Sequence, residues 1–192
     1  LAFSRKQILQ LRSLNLNEVI RRVVGILTRV LGEDIALECR LDDRLPGVWA
    51  DGGMMEQLIT NLAVNARDAM PRGGRLIVGT TTVEVDDKAA RLHAEARPGT
   101  FVCLSVADSG SGMDATTLSR IFEPFFTTKD VGQGSGLGLA TVHGIVKQHQ
   151  GWIDVISQVD QGTTFKILLP GVSKPVPEEN VPAAAAPAHD PA

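Results

Sequence analysis

Residues 132–139 read GQGSGLGL, glycine at every second position, and run directly into the helix-patterned ATVHGIVKQH. Gly132, Gly134, Gly136 and Gly138 free the backbone to take positive φ and to approach a ligand closely. The chain must therefore deliver a pliant loop to the start of a helix. Such a start presents unpaired N–H groups and a partial positive charge, which suit phosphate. The spacing excludes two familiar phosphate loops. Read as GxGxxG, the last glycine would fall on Leu137 or Leu139, and no Lys-Ser/Thr pair follows the run. A phosphate loop of this kind belongs to a third type of nucleotide site.

The rest of the chain sets the frame for that loop. Its 192 residues, 43% of them hydrophobic, are enough for one medium domain with a core and short extensions. A net charge of −3 gives no electrostatic case for a nucleic-acid partner or an anionic membrane. No apolar run approaches the ~20 residues of a membrane span, and LAFSRKQILQ lacks the layout of a signal peptide. Cys39 and Cys103 lie far apart in apolar, strand-like stretches and are expected as two buried free thiols. A cytoplasmic setting is expected. The chain opens on Leu1 and is expected to be a piece of a longer protein.

Periodicity places the elements. Leu1 to Leu11 alternate apolar and basic groups at helical spacing, as at the end of a helix begun upstream. Asn17 is expected to cap a second helix, with Val19, Ile20, Val23, Val24, Leu27, Val30 and Leu31 as its apolar stripe and Gly32 as its stop. IALECRL and VWA read as strands. Asp51 begins a long helix that Pro71 ends, and RLIVGTTTVEV and TFVCLSVAD are strands joined by a polar loop. Asp114 caps a short helix to Phe122, and WIDVIS and TTFKILL close the domain as a hairpin. The expected fold is an α/β (α+β) two-layer sandwich, a mixed, mostly antiparallel sheet covered on one face by helices. Residues 172–192 hold five of the ten prolines and read as a disordered Pro/Ala-rich tether.

Four clusters carry candidate chemistry. Asn61, Asn65 and Asp68 fall at i, i+4 and i+7, a polar stripe opposite Ile59, Leu62, Ala63, Ala66 and Met70. Asparagine is a poor helix former. The stripe is either a solvated face or a set of amide oxygens completing the shell of a phosphate-bound Mg²⁺. Asp108 ends a strand before Ser-Gly-Ser-Gly; it is an ordinary turn residue or an acceptor for an exocyclic amine such as that of adenine. Phe122, Phe125 and Phe126 are three of six phenylalanines and either pack the core or anchor a mobile lid. Thr127, Thr128 and Lys129 suit phosphate oxygens, although a lone lysine is as readily a solvated one. His143 and His149 lack metal-ligand spacing and are expected in helix-surface or packing roles.

The order of these motifs is more specific than any one of them. NLxxNAxxA, DxGxG, FxPFF, GxGxGLGL and GTxF (Gly162, Thr163, Phe165) follow one another across residues 13–170. The chain resembles the ATP-binding catalytic domain of sensor histidine kinases, with the Bergerat (GHKL) fold, and its NARDAM, FEPFFTTK and GLGLATVHGIVKQHQGWI versions look like the nitrogen-regulator-type and hybrid subclass. The resemblance implies three parts. Residues 1–12 would end a dimerisation and phosphoacceptor helix, 13–171 would be the catalytic domain, and 172–192 a linker. It implies ATP and Mg²⁺ as cofactors, with Asn65 the principal metal ligand and Asn61 beside it. Asp108 would bind the adenine amine with Gly110 and Gly112 clearing space, and Thr163 and Thr164 would lie near the adenine end. Thr127, Thr128, Lys129, Gly132, Gly134, Ser135, Gly136, Leu137 and Gly138 would surround the phosphates, the span from Thr127 to Gly136 acting as a lid. Asn61, Asn65 and Lys129 would serve catalysis. Asp68 stands where other subclasses often carry Lys or Tyr, so a role through Lys129 or Arg67 is the reading left for it.

Related gyrase-type ATPases and chaperones carry a water-activating Glu at the position of Asn61. An amide has no basic lone pair at neutral pH, so the resemblance favours phosphoryl transfer to a protein over hydrolysis. The expected acceptor is a histidine in a His-Glu/Asp context. His93, His143 and His149 lack that context, and His189, although followed by Asp-Pro, lies in the tether, which places the acceptor upstream of Leu1. A response regulator or a fused receiver domain is the implied downstream partner. The fragment is expected to be a monomer and the full kinase a homodimer. The alternative is a binding module in which nucleotide only sets the conformation of a larger regulator.

Overall fold

The computed structural model describes residues 9–91, 94–129 and 134–172. Strand β1 (Arg12–Leu14) leads into helix α1 (Leu16–Leu31), strands β2 (Ile35–Arg40) and β3 (Gly47–Ala50), and helix α2 (Gly52–Ala69). Then come β4 (Gly74–Val85), a short α3 (Asp87–Ala90), β5 (Gly99–Asp108) and a short α4 (Ala115–Leu118). Helix α5 (Gly138–Gln148) precedes the closing hairpin of β6 (Trp152–Gln158) and β7 (Gly162–Val172). The strands form one sheet in the order β1-β3-β7-β5-β4-β2, with β6 paired to β7. Only β2 and β4 run parallel; the remaining pairs are antiparallel. The expected sandwich is the fold observed.

Strand alternation sorts the side chains of β5 between two layers. Val102, Leu104 and Val106 join the main core with Ile20, Leu27, Leu58, Leu62 and Ile145 of the helices. Phe101 and Cys103 point the other way, into a smaller cluster with Val85, Trp152 and Leu168. There Phe101 meets Trp152 edge-on, with centroids 4.7 Å apart. The apolar stripe of α2 is buried as its spacing demands: Ile59, Leu62, Ala63, Ala66 and Met70 all lie in the main core.

Several local expectations need correction. The cap of α1 is Asn15, whose side chain accepts from the Asn17 N–H at 2.9 Å. Asn17 is instead buried inside the helix. Its amide donates to the Asp42 carbonyl at 2.8 Å and accepts from the Thr80 hydroxyl at 2.7 Å. Leu9 to Leu11 are not helical, and Arg12 opens β1 by pairing with Ala50, so the upstream helix does not extend through residue 12. The pairing that overrides the local pattern is long-range. Helix α4 stops at Leu118, with turns carrying the chain on to Phe126; Pro124 disfavours helical backbone in the residue before it. Cys39 is exposed on the edge strand β2, whereas Cys103 is buried; both are free thiols. Strand β7 runs one residue past the expected boundary, to Val172, and the tether beyond lies outside the described residues.

The network around Asn17 yields a direct test. Asn17→Leu strands the Thr80 hydroxyl and the Asp42 carbonyl away from their partner, and should lower stability by about 1–3 kcal/mol in urea unfolding. Ile26→Ala, on the exposed face of the same helix, should change it by less than about 0.5 kcal/mol. Equal losses would remove the structural role given to Asn17.

Candidate functional site

Helix α2 is held at its start by specific bonds. Asp51 caps it, accepting from the Met54 N–H at 3.1 Å. The Asp51 N–H in turn donates to Nε2 of His149 at 3.0 Å, while Nδ1 of that ring contacts the Ile145 carbonyl at 2.7 Å. An accepting Nε2 leaves the proton on Nδ1. His149 is therefore a buried link between the start of α2 and the end of α5, within the packing role expected of it. His143 stacks on Phe122 with centroids 5.0 Å apart.

With its apolar stripe on the sheet, α2 turns Asn61, Asn65 and Asp68 toward a cavity of about 470 Å³. The start of α5 stands across from them. Asn61 donates to the Gly138 carbonyl at 3.4 Å, and a Cβ on Gly138 would sit 3.5 Å from Nδ2 of Asn65. That Nδ2 is buried without a hydrogen-bond partner, the one such side-chain atom among the described residues. An unpaired buried amide costs about 1–3 kcal/mol, so this side chain is poised for a ligand.

The far end of the cavity is built around Asp108. Its Oδ1 accepts from the Gly110 N–H at 2.8 Å and the Thr163 N–H at 3.3 Å. Burial pushes the carboxyl above the ordinary carboxylate range, and those two bonds only partly offset it. Gly112 has φ +62° and a Cβ there would lie 1.9 Å from the Gln158 carbonyl, so only glycine lets this loop close on the β6–β7 hairpin.

The third wall is the segment before α5. Lys129 donates to Oδ2 of Asp68 at 2.5 Å, and Arg67 donates twice to Oδ1, at 3.0 and 2.8 Å. Burial raises the Asp68 carboxyl, but the bonds and charges of Lys129 and Arg67 outweigh it and hold the pKa below the ordinary value. The role through Lys129 and Arg67 read for Asp68 is thus a contact in the structure. Gly136, at φ +65°, packs its α-carbon against the Phe125 backbone, where a Cβ would come within 2.4 Å. Phe125 itself has φ 67° and is 74% exposed, so it fills no core; Phe122 packs against the main core and Phe126 lies under the Arg120 guanidinium.

Most of the expected residues meet here. Asn61, Asn65, Asp108, Gly112, Thr127, Thr128, Lys129, Gly134, Ser135, Gly136, Gly138 and Thr163 line the one cavity. Gly110 braces Asp108 from behind. Leu137 supplies the residue before α5 and does not line the cavity. Thr164 does not line it either: between Thr163 and Phe165, strand alternation turns it to the opposite sheet face beside Ile156. Gly132 lies outside the described residues, so the expected lid is described only at its two ends. Met113, Thr117 and Ile121 are lining residues that motif reading missed, ordinary apolar and hydroxyl residues with no motif spacing; Leu139, the last residue of the glycine run, also lines the cavity without having been named for it.

Residues 50–173 match the family model described as histidine kinase-, DNA gyrase B- and HSP90-like ATPase. The chain belongs to this family. It is 46% identical over 186 residues to the sensor kinase CckA of Brucella abortus (strain 2308), covering 96% of this chain and 20% of that protein. It is 37% identical to the sensor histidine kinase ZraS of Escherichia coli (strain K12), covering 84% of this chain and 31% of ZraS. The chain thus spans a fifth to a third of the length of these relatives. Its fold superposes on full-length ShkA in complex with AMPPNP with a TM-score of 0.70 at 27% identity, covering 88% of this chain and 33% of ShkA. For the mycobacterial sensor histidine kinase MprB the TM-score is 0.66 at 27% identity, over 84% of this chain and 98% of that one.

The two carboxylates predict opposite pH behaviour. The lowered pKa of Asp68 means stability present above its unfolded value, near pH 4, and lost as pH falls through the folded value. The raised pKa of Asp108 means a burial cost present at neutral pH and relieved as pH falls through the folded value. Asp68→Asn should therefore melt lower than wild type at pH 7, by about 1 kcal/mol or less for a partly exposed pair. Asp108→Asn should melt at or above wild type at pH 7, with any gain vanishing below about pH 4. The same direction of change for both at pH 7 would refute the assignment.

Proposed function

We propose that this domain binds Mg·ATP and transfers the γ-phosphoryl group to a histidine on a separate dimerisation and phosphoacceptor domain, as a protein histidine kinase. The observation that carries the reading is the buried Nδ2 of Asn65, a donor without a partner across from the start of α5 that a phosphate oxygen would satisfy, leaving the same amide's Oδ1 for the ion, with Asn61 beside it. The donor set fits the ion. Among the described residues no group of three His, Cys, Asp or Glu side chains could cage a metal. Neutral amide oxygens instead complete the shell of a Mg²⁺ held chiefly by phosphate. Asn65 would be its main protein ligand with Asn61 adjacent, and the bound ion would neutralise charge on the β- and γ-phosphates.

The chain's own groups divide the rest of the work. Asp108 accepts from the adenine amine, with Gly110 and Gly112 shaping the loop beside it. The start of α5 at Gly138 offers N–H groups and its positive end to the phosphates. Thr127, Thr128, Gly134, Ser135 and Gly136 wall the same chamber, and Lys129 brings the cation. Transfer is favoured over hydrolysis for a stated reason. Asn61 is an amide with no basic lone pair at neutral pH, and the two carboxylates among the described lining residues are engaged. Asp68 pairs with Arg67 and Lys129, and Asp108 sits at the purine end. No base stands ready to activate water. AMPPNP bound by ShkA supports nucleotide as the ligand class.

Among the described residues no helix is long and apolar enough to cross a membrane. We place the domain in the cytoplasm, as part of a homodimeric kinase that passes phosphate on to a response regulator or a fused receiver domain. The isolated fragment is a monomer in this reading.

The decisive experiment supplies radiolabelled ATP to the chain together with its dimerisation domain. Label on that domain's histidine is expected; tight binding with no label would leave only a nucleotide-binding module, and steady phosphate release by the chain alone would indicate a hydrolase. Asn65→Ala should abolish Mg²⁺-dependent ATP binding by calorimetry while circular dichroism stays that of wild type. Unchanged affinity would remove the metal assignment.

A further inference from the structure

Behind the Asp108 corner lies a hydroxyl that no motif marks. Ser157, on β6, does not line the cavity, yet its Oγ has three neighbours. It accepts from the Met113 N–H at 2.9 Å, donates to the Gly162 carbonyl at 3.3 Å, and lies 2.9 Å from Oγ1 of Thr163. A proton count orders this cluster. An amide N–H can only donate and a carbonyl can only accept. The single Ser157 proton therefore goes to Gly162, and the bond between the two hydroxyls is donated by Thr163.

That assignment fixes the polarity of the cavity wall. Thr163, which does line the cavity, has its proton turned to Ser157 and keeps only lone pairs for any further partner. The neighbouring Asp108 spends Oδ1 on Gly110 and Thr163, and Oδ2 takes no described hydrogen bond. Between them, Asp108 and Thr163 offer this corner acceptors and no hydroxyl donor. We propose that Ser157 is a positioning residue that makes this corner select a purine bearing an amine at its six position and reject one bearing a carbonyl there. The inference rests on the reading of Asp108 and Thr163 as the purine end. Its chemistry is negative as well as positive: a six-carbonyl placed against Asp108 and Thr163 meets oxygen lone pairs from both, which leaves it desolvated and unpaired.

Removal of the Ser157 hydroxyl releases the Thr163 proton to turn outward. Ser157→Ala should then bind ITP better relative to ATP, lowering the ATP-to-ITP affinity ratio by about five- to thirty-fold, the size of one hydrogen-bond mismatch. Ser157→Cys, near in volume but a poor donor, should shift the ratio the same way, which keeps the test open should the alanine variant not fold. Ser157→Thr restores the hydroxyl and should restore the wild-type ratio. In the wild type, competition should rank ATP above the triphosphate of unsubstituted purine riboside, and that above ITP, since a hydrogen at the six position is merely unpaired whereas a carbonyl is opposed. A general loosening of the fold would weaken all three nucleotides alike. Folded Ala and Cys variants with the wild-type ratio, or a wild type that ranks ITP above the unsubstituted purine, would overturn the proposal while leaving ATP binding in place. Failure of the wild type to bind ATP at all would instead overturn the nucleotide reading, and this inference with it.

Discussion

Everything at the site depends on how α2 is seated. Its stripe of Ile59, Leu62, Ala63, Ala66 and Met70 is driven out of water against the sheet, and a buried face of that width leaves the helix no freedom to rotate. The rotation that buries those residues turns Asn61, Asn65 and Asp68 to the opposite side. The Asp51–His149 link then fixes where the helix begins relative to the end of α5. Between two helices so registered, the start of α5 comes level with Asn61 and Asn65, and the cavity is the space left between them.

The site is assembled at a local cost that the core absorbs. Asn65 has a buried, unpaired Nδ2, Asp108 keeps a carboxyl where burial disfavours its charge, and Phe125 holds a left-handed backbone with its ring in solvent. Each is locally unfavourable. They cluster at the cavity or its rim, as strain and unsatisfied groups do where a ligand completes the structure. The large, continuous apolar layer between sheet and helices lets the fold tolerate them.

Charge is placed sparingly. Lys129 is not a free cation: Asp68 holds it at the α2 wall, and Arg67 holds Asp68 while also donating to the Val30 carbonyl at 3.3 Å. This chain of contacts couples the Lys129 side of the cavity to α1 through two ion pairs only partly screened by solvent and one hydrogen bond to a backbone carbonyl. In the proposed reading, a phosphate arriving there would compete with a carboxylate for the lysine, so the affinity of the site would depend on Asp68 even without direct contact.

Sequence patterns were sufficient wherever the deciding interaction was local. The 3.6-residue stripe placed α2 and its polar face, alternation placed the long strands, and the ordered motifs identified the family and gathered most of the cavity lining. They failed where a distant partner decided. Asn17 has the chemistry of a cap, but a buried bond to Asp42 and Thr80 claims it. Arg12 sits in a helix-like run, but β3 captures it as a strand. Thr164 belongs to the same motif as Thr163, yet one residue's step along a strand moves it to the other face of the sheet. His149 and Ser157 carry no motif at all. Their partners lie 98 and 44 residues away along the chain, or across a hairpin turn, and only folding brings them together. By itself the sequence determined the elements, the family and the kinds of group available to a nucleotide. Tertiary structure alone decided which of those groups face one cavity, and in which direction their protons point, because hydrogen bonds act over about 3 Å and connect residues that the chain itself keeps far apart.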